Sequence, residues 1–109
     1  MTTAQPTTMA GTMTTAAERK HLSAVAALGC CICGTPAEIH HVRRHGAKRD
    51  HMRAIPLCPR HHRTGGHGVA VHAGRQTWAA KHGTEERHLA AVMRRLGYNV
   101  VEDEPQLPE

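Results

Sequence analysis

Histidine and cysteine are the side chains that bind transition metals, and this chain concentrates them, with 11 His and 4 Cys among 109 residues. Most lie between Cys30 and His72, in a fixed order: Cys30-Cys31-Ile32-Cys33, then Ile39-His40-His41, then Leu57-Cys58-Pro59-Arg60-His61-His62, then His67 and His72. So many ligand-type residues in one short stretch point to bound metal. Two ligands separated by two residues can reach one tetrahedral ion from a tight turn, so Cys30 pairs with Cys33, and Cys58 with His61. These two pairs predict one structural zinc site, with Cys31 left free, either packed or able to substitute for a neighbour.

The remaining histidines suit a second ion and a different task. Neighbours on a strand point to opposite faces, so His40 and His41 cannot easily share an ion. If His40 is a ligand, His41 is placed to act on a water. On a helix His62 is turned about 100° from His61 and can face another ion. Either His72 or His67 could complete a set of three imidazoles, leaving open positions for a phosphate oxygen.

The elements expected to position these residues follow from pattern. Residues 17–28 read as a helix with Leu22, Val25 and Ala26 on one face and Gly29 as its stop. Cys30–Cys33 reads as a turn between short strands, residues 37–41 as a strand ending in the histidine pair, and residues 54–57 as a second strand. Pro59 suits the first turn of a helix carrying His61 and His62. Val69-Ala70-Val71-His72 alternates as a strand would, and residues 77–82 form a short helix around Trp78. Thr84 caps a last helix with Leu89, Val92, Met93 and Leu96 on one side, ending at Gly97. The fold class is α+β. A Thr-rich arm, 1–16, is expected to be disordered, the domain to span 17–101, and an acidic tail to occupy 102–109.

Bulk composition sets further limits. With no Phe, one Trp and one Tyr, large aromatic burial is missing and a metal staple is expected in its place. The absence of a secretory pattern and the thiolate-type spacing predict a reducing, cytoplasmic setting. Net charge is +5. Arg43, Arg44, Lys48, Arg49, Arg53, Arg60 and Arg63, against Asp50 alone, overlap the histidines, which predicts a polyanion over the metal site.

The string Ile39-His40-His41, basic loop, Ile55-Pro56-Leu57-Cys58-Pro59-Arg60-His61-His62-Arg63, Gly65-Gly66 and Val71-His72-Ala73-Gly74 resembles the HNH (His-Me finger, ββα-metal) endonucleases. Within that superfamily it looks most like the phage recombination-enhancement nucleases of the Ref type, from about Lys20 to Leu96. The resemblance implies a metal-dependent DNA endonuclease with His41 as general base and His40, His62 and, over His67, His72 as ligands of a catalytic magnesium, manganese or zinc ion. It also implies that Cys30, Cys33, Cys58 and His61 form the structural zinc cage and that the products carry 5′-phosphate and 3′-hydroxyl ends. Arg43, Arg44, Lys48 and Arg49 would hold the DNA backbone, and a bacterial recombinase filament would present the target. One position departs from the pattern: Arg53 stands where the Asn of the HNH name is expected, so Asp50 or His51 would have to brace the loop. A zinc-stabilised module that binds nucleic acid without cutting it is the alternative, and His41 separates the two readings. A third is an interaction protein whose metals only replace a core.

Overall fold

A computed structural model of the chain describes residues 14–44 and 48–100. Residues 1–13 of the Thr-rich arm and the whole acidic tail lie outside the described residues. The arm's expected end at residue 16 moves back, because α1 (Ala16–Ala27) is capped by Thr15. The Thr15 hydroxyl accepts from the Glu18 amide at 3.0 Å, and the Glu18 carboxylate accepts from the Thr15 amide at 2.9 Å. This reciprocal pair satisfies two donors that a helix start leaves open.

Gly29 ends α1 at φ +83°, and a Cβ there would stand 2.8 Å from the Gly34 carbonyl oxygen. The chain therefore folds back at once, and the Cys30–Cys33 turn closes through Gly34 N–H to Cys30 O at 2.8 Å and Cys30 N–H to Thr35 O at 2.8 Å. The turn joins a helix to a strand, whereas the sequence suggested strands on both sides. Its Cys31 amide donates to the Pro56 carbonyl at 2.9 Å and fastens it to the sheet.

The sheet has two antiparallel strands, β1 (Glu38–His41) and β2 (Ala54–Leu57), in the register His40 opposite Ile55 and His41 opposite Ala54. All four β2 residues are buried. That explains why β2 reads as a continuous apolar run, since α1 and α3 (Glu85–Arg95) both pack against it. Val25, Ile55, Leu57, Val71, Trp78 and Val92 meet in the core. Trp78, fully buried on α2 (Arg75–His82), is its one large aromatic. Complete burial of a Val, Leu or Ile contributes ~1.5–3 kcal/mol, so a core this small leaves room for a metal staple.

After β2 the chain makes one wide helical turn, Arg60–Thr64, closed by Gly65 N–H to Arg60 O at 3.0 Å. Such i→i+5 turns are rare and recur at functional sites. The alternating segment 69–72 is not a strand. Ala70 and Val71 are buried, but Gly66 and Gly68 hold positive φ just before them, and Val71–Ala73 forms a single 3₁₀ turn. Among the described residues the only strands are β1 and β2, so this segment has no third strand to pair with.

The class is α+β, as the composition of elements predicted. No helix of the described residues is long and apolar enough to cross a membrane.

Candidate metal and nucleic-acid site

The turn after α1 and the wide turn after β2 bring Cys30, Cys33, Cys58 and His61 together, with ligand atoms all within 4.8 Å of one another. The Cys33 and Cys58 sulfurs are 3.7 Å apart, and His61 Nδ1 stands 3.3 Å from Cys58 Sγ and 3.7 Å from Cys30 Sγ. A zinc tetrahedron with ~2.3 Å Zn–S and ~2.0–2.1 Å Zn–N bonds has edges of about 3.6–3.8 Å, and two of these three separations, both 3.7 Å, fall in that range while the third is a little shorter. The four donors can hold a structural metal such as zinc. The amides of Ile32 and His61 donate to Cys30 Sγ at 3.4 Å and Cys58 Sγ at 3.5 Å and orient the two sulfurs.

Cys31 and Cys33, two positions apart, separate by environment. Hydrogen bonds from Thr35, whose hydroxyl lies 3.1 Å from the sulfur, lower the Cys33 thiol to about 6. Burial pushes the Cys31 thiol up to about 12, and its sulfur is not among the four clustered donors. Burial also raises Cys30.

Beside the cage lies a trio of histidines. His40 lies on β1, His62 follows the cage ligand His61 in the wide turn, and His72 sits in the 3₁₀ turn. Their candidate ligand atoms also lie within 4.8 Å of one another. The rings stand edge to face, His62 and His72 with centroids 4.4 Å apart and His40 with His62 5.1 Å apart. His67 is elsewhere, hydrogen-bonded through Nε2 to the Thr77 hydroxyl at 3.1 Å.

Two of the three rings have a carboxylate on one nitrogen. His62 Nδ1 meets Glu38 Oε2 at 2.8 Å, and Arg63 donates to both oxygens of the same carboxylate. Arg63 first and His62 second hold Glu38 down to about 2. His40 Nε2 meets Glu85 Oε1 at 2.8 Å. Glu85 is buried, which by itself would raise its pKa, but hydrogen bonds from His40 and Arg75 prevail and the net shift is downward. A carboxylate on one ring nitrogen fixes the tautomer and turns the other nitrogen toward a metal.

His41 stands outside the trio, as strand alternation requires. Its Nε2 is 3.0 Å from His51 Nδ1, so of the two candidates to brace it, His51 is the one in contact. Asp50 instead accepts from the Met52 amide and shapes the turn. Arg53 closes the loop, donating from Nε to the Val42 carbonyl at 3.1 Å and ion-pairing with Glu86. Burial, then the positive charge of Arg49, lowers His41 to about 4, which keeps the imidazole neutral near pH 7.

A cleft of about 470 Å³ opens over the trio. His41 and the trio line it together with Arg43, Arg49, Arg75 and Glu85. Arg44 and Lys48 are exposed and do not line it. Glu38, Arg75 and Glu85 escaped the reading of the sequence, whereas His51 was one of the two candidates named for the loop. Glu85 stands in the first turn of α3, where an acid favours a helix start, and only the packing of α3 against the sheet reveals its second use.

A family model described as a protein of unknown function (DUF968) matches residues 10–98. The chain belongs to the DUF968 family. That match spans both metal-type clusters and every described element of this DUF968 domain, so cage, trio and cleft all lie within the family's own extent. No curated protein and no solved structure matches the chain.

Proposed function

We propose that this DUF968 protein is a metal-dependent DNA endonuclease of the HNH type, with His41 as general base. The observation that carries the reading is the placement of a neutral imidazole beside, and not within, a three-histidine cluster in one cleft rimmed by arginines. A binding module has no use for that arrangement. The order strand, strand, helical turn around the trio agrees with a ββα-metal core, and the Cys30, Cys33, Cys58 and His61 cage agrees with a structural zinc that pins the turn.

His41, its ring oriented by His51, takes a proton from water, and the water oxygen bonds to phosphorus in line with the bond to the 3′-oxygen. That bond breaks, its electron pair stays on the 3′-oxygen, and protonation leaves 3′-hydroxyl and 5′-phosphate ends. A divalent ion (magnesium, manganese or zinc) held by His40, His62 and His72 supplies Lewis-acid charge to the phosphate when bound. Arg43 and Arg49, which have no carboxylate partner among the described residues, hold the flanking backbone without reading sequence. Arg44 and Lys48 would act farther along the strand. A bacterial recombinase filament as the platform that presents DNA rests on the sequence resemblance alone.

Supercoiled plasmid and single-stranded DNA incubated with the zinc-loaded protein and each divalent ion, with and without a recombinase filament, test the proposal. Metal-dependent nicking with 5′-phosphate ends is expected. DNA bound and uncut under every ion would replace the nuclease with a zinc-stabilised binding module.

A further inference from the structure

Glu85 is an acid with both oxygens engaged and almost no contact with solvent. It occupies the first turn of α3, 8% exposed, and reaches the cleft from an element that the metal-type motifs do not include. One oxygen, Oε1, bonds His40 Nε2 at 2.8 Å, and the other, Oε2, accepts from Arg75 Nε at 2.8 Å. Thr84 caps α3 and Trp78 anchors α2 in the core, so both ends of this bridge are rooted in packed helices. Glu85 itself falls outside the set of ligand atoms within 4.8 Å of one another, and both its oxygens already have partners.

From this geometry we infer that Glu85 is a positioning residue that couples the metal site to a phosphate-binding arginine, Arg75. Through Oε1 it fixes His40 with the second ring nitrogen free for the ion. Through Oε2 it takes only the Nε of Arg75. The Nη atoms make no hydrogen bond to the described residues, and the side chain, 64% exposed, borders the cleft beside the trio. A guanidinium tied at Nε and free at Nη is pre-organised for a phosphodiester oxygen, and it loses less side-chain freedom on binding than an untethered arginine. Arg75 thereby adds a third cation to Arg43 and Arg49. This assignment rests on the proposed nuclease reading for its substrate, but its metal half stands without it.

The test uses the full chain with its structural zinc, and Mn²⁺ as the probe, because manganese favours nitrogen and oxygen donors over the thiolate cage. Mn²⁺ affinity is read from the loss of the free-ion paramagnetic resonance signal, and DNA affinity from a short duplex without added Mn²⁺. Glu85→Gln, close to isosteric, is expected to weaken Mn²⁺ binding by about 10–100-fold with zinc content and melting temperature retained. Arg75→Ala is expected to weaken Mn²⁺ binding less than Glu85→Gln does and to weaken duplex binding. Arg75→Lys should restore only part of that loss, since an ammonium cannot be held at Nε. Wild-type Mn²⁺ affinity in Glu85→Gln, or a wild-type chain that binds no Mn²⁺, would overturn the metal half. Unchanged duplex affinity in Arg75→Ala would overturn the phosphate half. A wild-type protein that binds Mn²⁺ and cuts no DNA would instead sink the nuclease reading and leave the metal role of Glu85 standing.

Discussion

At the scale of single residues, identical side chains side by side have been given different work by their surroundings. Cys31 and Cys33 are the clearest case. Cys31 is packed and its thiol pushed up to about 12, whereas Cys33 is exposed, held by Thr35 at about 6, and 3.7 Å from Cys58. Cys33→Ala should therefore lose stoichiometric zinc and with it metal-coupled folding energy, which reaches on the order of 10 kcal/mol in small zinc domains. Cys31→Ala should keep one zinc per chain and lose only packing. Zinc analysis of the two purified variants checks this, and equal zinc loss in both would show the cage to be wrongly drawn. His40 and His41 divide in the same way, one facing a carboxylate and two histidines, the other facing His51.

At the scale of elements, the wide turn Arg60–Thr64 does the most for the site, because it delivers His61 to the cage and His62 to the trio from adjacent positions. Gly65 permits its closure. A Cβ at Gly65 would lie 2.5 Å from the Arg60 carbonyl oxygen and 2.5 Å from Val69 Cγ1. Gly65→Ala should cost about 1–3 kcal/mol, as overpacking does, and should displace both histidines. Denaturant titration together with metal content measures it, and an unchanged midpoint with full metal content would contradict this role for the turn. Much of this level was legible in the sequence. Spacing gave the two Cys/His pairs, strand alternation separated His40 from His41, and Thr84 with Leu89 and Val92 marked the last helix. The wide turn was not legible, since Pro59 announces any helical start, and neither was the 3₁₀ turn at His72, where alternation imitates a strand that has no partner. Glu38, Arg75 and Glu85 join the site through contacts across 10 to 45 positions of sequence, which no local pattern encodes.

At the scale of the whole molecule, a modest core is wrapped around β2 and tied at its edges by polar contacts between distant segments. One of these engages a buried histidine. His21 of α1 lies under Tyr98, whose hydroxyl is 3.4 Å from His21 Nδ1, the two being 77 positions apart. Burial lowers the His21 pKa, while the Met52 backbone and the Asp50 charge oppose the shift without cancelling it. A histidine whose folded pKa lies below its unfolded value of ~6.5 binds its proton more readily in the unfolded chain. Its contribution is therefore complete above pH ~6.5 and declines as pH falls from there toward the folded value. The melting temperature of the zinc-loaded protein should fall between pH 7 and pH 5 more steeply in the wild type than in His21→Gln. Parallel curves for the two proteins would remove His21 as a contributor. Over the same molecule, the cleft gathers Arg43, Arg49 and Arg75 on one face, which is the distribution a nucleic-acid backbone requires.

The central claim is that His41 takes the proton from the attacking water, and it is tested most directly by single-turnover cleavage of a short DNA by wild type and His41→Ala at matched zinc and Mn²⁺ occupancy, with DNA binding measured in parallel. A loss of about 10²–10⁴-fold in the cleavage rate, with DNA and metal bound as in the wild type, is the expected result. Equal rates in the two proteins would contradict it.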